Sequence, residues 1–325
     1  MSPIEEKYTA SFRERLQFIV KKVAYPLIFF LVSGLGYLAI RNGWDYGMIL
    51  FSSTILCVAY FIVLEQIIPF RRDWKQTPRE WRRDGMYFGL IMLYGGLGEA
   101  AVRAIAVDLS PDTNSWPLWF NVLVAILAGS FVGYWQHRLE HRVDILWPVH
   151  GIHHVPDKVN ITNNSVVHFI ELICGTILTQ LVLLTIGISD EGLLISGLFT
   201  IMQGYFIHTN SDIRIGRWNH VLASCELHRF HHSNYVPEAG NFGSEIVLWD
   251  KLFGSYIYRP DQKQLEVGVA KPHTFPSPFN IIKGWWHPFR YWFRRVGRQP
   301  PYFYTERSKI PVRDRLEHAT PSDSQ

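Results

Sequence analysis

Cysteine is scarce in this chain and is never paired along the sequence. Cys57, Cys174 and Cys225 stand far apart, form no CxxC motif, and lie in or beside apolar stretches. A disulfide framework and a thiolate metal site both require regularly spaced cysteines. Neither is expected here, and a reduced, intracellular chemistry is favoured.

Several other signatures are missing. The N-terminal stretch mixes acidic and basic residues and lacks the short apolar core and small-residue cleavage site of a signal peptide, so no processing is expected. The sequence has no HPGG haem box, no Rossmann or flavin fingerprint after a strand, and no cysteine set for an iron–sulfur cluster. A redox enzyme built on this chain would need a separate reductase, ferredoxin or cytochrome as its electron donor.

Apolar residues, in contrast, are abundant: they make up 48% of the 325 residues. A stretch of about 20 apolar residues can cross the hydrocarbon core of a bilayer. Residues 86–107 carry Glu99 and Arg103, so an amphipathic helix in the membrane interface is an alternative for that stretch. The sequence predicts four to six transmembrane helices, within residues 23–40, 48–70, 86–107, 118–135, 166–188 and 193–207.

Basic residues predict the orientation of these helices. Arginine and lysine precede the first apolar stretch and crowd the loop 71–84, whereas residues 107–117 contain neither. Cytoplasmic loops carry an excess of Lys and Arg. With six crossings, both termini, the Arg-rich loop and everything after Ile207 are expected on the cytoplasmic side.

Histidines carry the chemical signal. Residues 135–154 hold five of the 14 histidines, and a second group follows at residues 228–232. Both groups contain a triple spaced i, i+3, i+4, which places the side chains along one side of a helix. A single zinc needs only three or four ligands, so nine candidates predict two metal ions, although imidazole does not select the metal. The nine candidate ligands are His137, His141, His150, His153, His154, His208, His228, His231 and His232.

Two other functions fit parts of this pattern. His137, Glu140 and His141 satisfy the H-x-x-E-H motif of inverted zinc peptidases, in which the glutamate is the general base. That interpretation leaves both histidine triples unexplained, so it ranks second. A non-catalytic membrane protein that binds a metal or haem is the third possibility, although closely spaced triples suit haem poorly.

Aromatic and basic residues alternate in 283–298, KGWWHPFRYWFRRVGR. This mixture is typical of a segment at the level of the lipid headgroups. Nucleic-acid binding is not predicted, because no nucleic-acid-binding motif surrounds the patch.

The order of the histidine motifs resembles that of a known family. HRLEH, WPVHGIHH and ELHRFHHS follow one another, with HTN before the last and NFG, WD and LFG after it. The chain is similar in these features, over residues 118 to 260, to the fatty acid hydroxylase and sterol desaturase superfamily, with a bacterial member as the nearest type. The resemblance implies an all-α integral membrane protein whose cytoplasmic helical cap holds two metals.

The resemblance also implies activity and cofactors. We expect an O2-dependent lipid hydroxylase or desaturase with two non-haem iron ions, no catalytic residue beyond the metal centre, and an external electron donor. His208 resembles an additional ligand of the family, and His168, Asn210 and Asp212 are further candidates for the coordination or its support. Groups expected to orient the imidazoles are Glu140, Asn163, Asn164, Glu171, Asn210, Asp212, Glu226 and Asp250.

Three regions are predicted. Residues 1–117 form membrane helices with the Arg-rich loop, residues 118–260 form the catalytic domain, and residues 261–325 form a basic, aromatic interfacial region with a tail.

Overall fold

A computed structural model describes residues 12–106, 114–235, 238–260 and 266–295. The described chain is helical, and its β pairing is limited to three isolated bridges. Its helices are α1 (Phe12–Asn42), α2 (Tyr46–Ile67), α3 (Pro78–Ala106), α4 (Leu118–Arg142), α5 (Trp147–His154), α6 (Phe169–Ile186), α7 (Asp190–His208), α8 (Cys225–His231), α9 (Leu248–Leu252) and α10 (Ile281–Arg295).

Within the described residues, five helices are long and apolar enough to cross a membrane, and they lie in α1, α2, α3, α4 and α6. This number confirms the predicted range of four to six. Residues 86–105 of the predicted stretch 86–107, for which an interfacial position was an alternative, belong to the span Pro78–Ile105, and residue 107 lies outside the described residues. The protein is therefore an integral membrane protein.

Helix α7 is not among the five candidate spans, yet it returns through the same bundle. Gly187 ends α6 in the left-handed conformation at φ 79°, which glycine adopts without strain. Ser189 then caps α7 by accepting a hydrogen bond from the backbone N–H of Gly192. Because the turn is this short, α7 runs antiparallel to α6 and packs against α1, α2 and α4.

The Arg-rich loop is shorter than predicted, because α3 begins inside it. Thr77 Oγ1 accepts from the backbone N–H of Glu80, and the Glu80 carboxylate accepts from the backbone N–H of Thr77. Pro78 occupies the first helical position. This capping box was visible in the sequence TPRE and explains the earlier start.

Candidate metal centre

The nine predicted histidines converge at one end of the helical bundle, and all but the half-buried His137 are buried. In each of two groups the candidate ligand atoms lie within 4.8 Å of one another. The five-histidine cluster contains His137, His141, His150, His154 and His231. The four-histidine cluster contains His153, His208, His228 and His232. The clusters adjoin, since the rings of His154 and His232 are 4.3 Å apart.

Each histidine triple is divided between the two clusters. Helix α5 gives His150 and His154 to the five-histidine cluster and His153 to the other. Helix α8 gives only His231 to the five-histidine cluster. Its His228 and the C-cap residue His232, an i, i+4 pair, belong to the four-histidine cluster. At 100° per residue, positions i and i+4 are only about 40° apart, whereas the i+3 position diverges by about 100° from i+4. Each helix can therefore serve two neighbouring metal positions.

Two other helices complete the clusters. His137 and His141 lie one turn apart near the end of α4, and His208 is the last residue of α7. Four helices thus deliver side chains to one small volume at the end of the bundle.

Backbone carbonyls fix the orientation of several imidazoles. Nδ1 of His137 and Nδ1 of His231 lie 2.8 Å from the carbonyl oxygens of Phe242 and Gly240, respectively. Nδ1 of His208 lies 2.9 Å from the carbonyl oxygen of Asn160. A carbonyl only accepts, so Nδ1 carries the proton of each neutral ring and Nε2 has a free lone pair.

The Nε2 atoms meet where a metal would lie. Nε2 of His150 is 3.1 Å from that of His137 and 3.0 Å from that of His154, which is 3.1 Å from Nε2 of His231. In the four-histidine cluster, Nε2 of His232 lies 3.0–3.2 Å from two neighbouring Nε2 atoms. His137 and His150 both have an acceptor at Nδ1, so their facing Nε2 atoms carry lone pairs, which repel unless a cation lies between them. The donor set therefore fits a metal ion in each cluster.

Burial keeps most cluster imidazoles neutral. It lowers the pKa values of His153, His154, His228, His231 and His232 well below the ordinary value of 6.5. Burial opposes the charged form of His150 as well, but the carboxylates of Glu171 and Glu140 outweigh it and raise its pKa. Neutral imidazole is the form that binds a metal.

These pKa shifts predict that the metal-free protein is sensitive to acid. When a histidine has a lower pKa in the folded than in the unfolded chain, the unfolded chain binds more protons between the two values. The stability contribution is therefore fully present above about pH 6.5 and decreases as the pH falls below it. The raised pKa of His150 acts in the opposite direction, but five lowered pKa values outweigh one raised value.

The measurement is the thermal unfolding midpoint of chelator-treated protein in detergent between pH 7.5 and pH 5. We expect the midpoint to fall on acidification and to recover when the pH is restored. A midpoint that is constant or rises towards pH 5 would contradict the assignment of neutral buried imidazoles.

Two carboxylates border the five-histidine cluster. Glu171 Oε1 lies 2.9 Å and Glu140 Oε2 lies 3.5 Å from Nδ1 of His150. The Gln136 side chain donates to Glu140 Oε1 and to the backbone carbonyl of Glu171, which joins α4 to α6. The second carboxylate oxygen of Glu171 is buried without a hydrogen-bond partner. Glu140 and Glu171 therefore lie around Nδ1 of His150, whose Nε2 is the candidate metal-binding atom.

A cavity of about 280 Å³ reaches both clusters. Near the histidines its lining is polar, with Gln136, Glu140, Asn164 and Glu171. Farther along the bundle, small residues such as Gly133 on α4, Gly175 on α6 and Gly204 on α7 leave room between the helices. The cavity therefore connects the metal centre with the membrane-embedded part of the bundle.

The loop 239–243 supports the five-histidine cluster from outside. Buried Asp250 accepts hydrogen bonds from the backbone N–H groups of Phe242 and Gly243 and from the hydroxyl of Ser255. Gly240 packs so closely against the backbone of Ser255 that a Cβ on Gly240 would lie 2.2 Å from the carbonyl oxygen of Ser255. The sequence features NFG and WD thus meet in space, and together they hold two carbonyls that bind histidines.

Three further residues that were candidates for the metal coordination or its support lie outside both clusters. His168 caps α6, and its Nε2 is 3.1 Å from the carbonyl oxygen of Trp285 on α10. Asn210 bonds through its side chain to the backbone N–H and carbonyl of Arg71. Asp212 pairs with Lys21. Their contacts tie peripheral segments to the centre.

The remaining predicted supports have different positions. Asn163 accepts from the backbone N–H of Asn160, the residue whose carbonyl binds His208. Glu226, in contrast, bonds to Arg214 and Asn219. Asn163 therefore supports the four-histidine cluster through the backbone.

Sequence reasoning missed Glu65 as a support of the four-histidine cluster. This buried residue of α2 accepts from the backbone N–H groups of Ile161 and Asn210, and Asn160 and His208 lie beside them in the chain. Gln76 and Thr209 donate to the same carboxylate. A carboxylate in an otherwise apolar stretch was the available signal.

The fold and the site together define an integral membrane protein with a candidate polyhistidine metal centre. Residues 122–255 match the family model for fatty acid hydroxylase. This match confirms the resemblance drawn from the histidine motifs.

Curated relatives agree with the family. An ornithine lipid hydroxylase of Rhizobium tropici is 26% identical over 88% of this chain and 87% of its own length. An alkylglycerol monooxygenase of Xenopus tropicalis is 25% identical over 69% of this chain and 51% of its own. Methylsterol monooxygenase 1 of Rattus norvegicus is 27% identical over 45% of this chain and 51% of its own. The chain thus spans about half the length of these two animal relatives.

No solved structure matched the chain. The family and the relatives confirm the predicted enzyme class: the protein is an oxidoreductase of the lipid hydroxylase type.

Proposed function

We propose that the protein is a di-iron monooxygenase that hydroxylates the polar headgroup of an aminolipid at the cytoplasmic face of the membrane. The reaction consumes a C–H bond, O2, two electrons and two protons, and gives C–OH and water. A separate reductase, ferredoxin or cytochrome supplies the electrons. The observation that carries the proposal is the pair of adjoining histidine clusters at one cavity within the membrane bundle.

The donor sets favour iron over tetrahedral zinc. Five imidazoles exceed the four ligands of a tetrahedral site.

Bound iron would supply the activation of dioxygen, and the chain supplies position and environment. The carbonyls of Phe242, Gly240 and Asn160 would hold three imidazoles with Nε2 towards the metals. Glu171 would hold His150 in the same way.

The polar end of the cavity suits a cationic headgroup. Glu140 and Glu171 line it beside His150, and Gly133, Gly175 and Gly204 line the part between the helices, where an acyl chain would lie. A lipid carrying an ammonium group could pair with these carboxylates and place a neighbouring methylene near the metals. Ornithine carries amino groups, so the similarity to an ornithine lipid hydroxylase supports the same substrate class.

Lipid analysis with labelled oxygen tests the proposal. Cells that make aminolipids would express the protein or its His150→Ala variant under 18O2. We expect the native chain to add one labelled oxygen atom to the headgroup of an aminolipid and the purified protein to contain about two iron ions. Loss of two hydrogens would identify a desaturase instead. An unchanged lipid profile with an active electron donor, or zinc as the only bound metal, would overturn the proposal.

The H-x-x-E-H peptidase remains the second candidate, because His137, Glu140 and His141 adjoin the cavity or its cluster. We expect Glu140→Gln to retain the bound metals, since the histidines are unchanged and the amide can still accept a hydrogen bond from Gln136. Hydroxylation should fall by about tenfold to a hundredfold, as for other changes next to metal ligands.

Metal content and oxygen incorporation of Glu140→Gln measure this prediction. Glu80→Gln is the matched control, because Glu80 is a buried glutamate that pairs with Lys158 away from both clusters. A protease assay in which native protein cleaves a peptide and Glu140→Gln does not would favour the peptidase.

A further inference from the structure

Residues 243–253 pack alongside the membrane-spanning helices, although no candidate span contains them. Trp249 Nε1 donates to Ser130 Oγ, and the Trp249 ring lies 4.9 Å from that of Phe131. Ser130 is midway along α4 and seven residues before His137, which corresponds to about 10 Å along the helix axis. This stretch therefore reaches well below the level of the metal centre.

Helix α7 gives the same depth. The Gln203 side chain donates to the backbone carbonyls of Glu245 and Ala223. Gln203 precedes His208 by five residues, or about 7 Å. The contacts with α4 and α7 therefore place residues 243–253 at a level between the midpoints of these two helices and the histidine clusters.

Helix lengths place this level within the lipid. Helix α6 is a candidate span with 18 residues, so it is only about 27 Å long. The hydrocarbon core is about 30 Å thick. The first turn of α6 lies beside the five-histidine cluster through Glu171, so a membrane that α6 crosses extends almost to the level of the clusters. A segment about 10 Å below them is then at the depth of acyl chains.

The outer surface of the stretch is apolar. Leu248 and Leu252 are 45% and 66% exposed, and Trp218 and Val221 of the adjacent turn 218–222 are 62% and 51% exposed. The turn is joined to the stretch by the bridge between Leu222 and Ile246. The patch continues onto the lipid-facing side of α4 through Phe131, which is 40% exposed.

Backbone bonds and charge also suit a lipid environment. The backbone N–H of Val247 donates to the carbonyl of Val221, and that of Ala223 donates to Glu245, so the stretch is hydrogen-bonded within the protein. The exposed ionisable side chains of 216–222 and 243–253 are Arg217, His220 and Lys251. Long basic side chains can extend from an apolar surface to lipid phosphates.

We propose that residues 243–253, with the turn 218–222, form a re-entrant element that lies in the lipid leaflet nearest the metal centre. Acyl chains cover its patch of Trp218, Val221, Leu248 and Leu252. Ser244 also lines the cavity, so the element separates the cavity from the lipid on this side of the bundle. Part of the region after Ile207 then lies in the membrane, whereas the sequence predicted that all of it lies on the cytoplasmic side.

Fluorescence quenching in liposomes tests this arrangement. Cys57 and Cys225 are buried, whereas Cys174 is exposed on the spanning helix α6, so Cys174→Ala leaves a background without an accessible thiol. Leu252→Cys and, separately, Trp218→Cys would be labelled in this background with an environment-sensitive dye. The native Cys174 provides the reference within the membrane. Exposed Asp157, next to α5, provides the aqueous reference as Asp157→Cys.

We expect labels at positions 252 and 218 to be quenched by nitroxide-bearing phospholipids as strongly as the label on Cys174. They should be several-fold less sensitive to aqueous iodide than the label at position 157. Behaviour like that of position 157 would overturn the proposal. So would protection from both quenchers together with efficient disulfide crosslinking between two copies through position 252, because the patch would then be a protein interface. Neither readout requires metal or enzymatic activity.

Discussion

Replacing His150 with alanine should remove the metal of the five-histidine cluster and abolish hydroxylation. Nε2 of His150 lies within 3.1 Å of two other Nε2 atoms, so its loss opens the centre of the donor set. It also leaves the Glu171 and Glu140 carboxylates without their shared imidazole. Changes around metal ligands typically cost about 10–100-fold, and loss of a central ligand should exceed this range.

Iron content and 18O incorporation measure this effect. We expect about one iron per chain in place of about two, since the four-histidine cluster shares no residue with the altered one. The control is His168→Ala, which removes a buried histidine outside both clusters and should retain both metals. Equal metal loss in the two variants would mean that the clusters do not bind metal as assigned.

Asp250→Asn should weaken both the fold and the metal site. The Asp250 carboxylate accepts from two backbone N–H groups and one hydroxyl, and it is fully buried. An asparagine side chain presents an NH2 group where one acceptor stood, so at least one buried donor loses its partner. We expect a loss of about 1–3 kcal/mol in the free energy of unfolding. Metal affinity should fall by about tenfold to a hundredfold, because the loop that carries the Gly240 and Phe242 carbonyls shifts.

Thermal unfolding of the metal-free variant and metal titration by calorimetry separate these two effects. Asp157→Asn is the matched control, because Asp157 is exposed and its replacement should change neither quantity. Metal affinity like that of the native chain in Asp250→Asn would show that the loop does not orient His137 and His231.

Length and apolarity were sufficient to predict most of the membrane architecture. A spanning helix must satisfy its own backbone and present apolar side chains to lipid, and both requirements are local. Five predicted stretches accordingly coincide with candidate spans. The boundaries depended on caps, so α3 begins at Pro78 through the Thr77 and Glu80 capping box rather than at residue 86.

The residues that support the candidate metal centre were less predictable, because their side chains hydrogen-bond to backbone groups and not to the histidines themselves. Glu65 acts through the N–H groups of Ile161 and Asn210, and Asp250 acts through those of Phe242 and Gly243. Such contacts join residues that are far apart in the chain. A carboxylate in the sequence therefore indicates a buried polar site without naming its partner.

The sequence by itself predicted the chemistry: eight histidines in helical spacing and His208, next to apolar stretches, indicate an imidazole metal site at a membrane. Helical periodicity also placed each i, i+3, i+4 triple along one side of a helix, with the i+3 residue displaced from the i, i+4 pair. Only the tertiary structure decided which residues share a cluster. It combines the pair from α5 with the single residue His231 from α8, and the pair from α8 with the single residue His153 from α5. That exchange depends on the relative orientation of two helices, which is set by packing between residues distant in the chain.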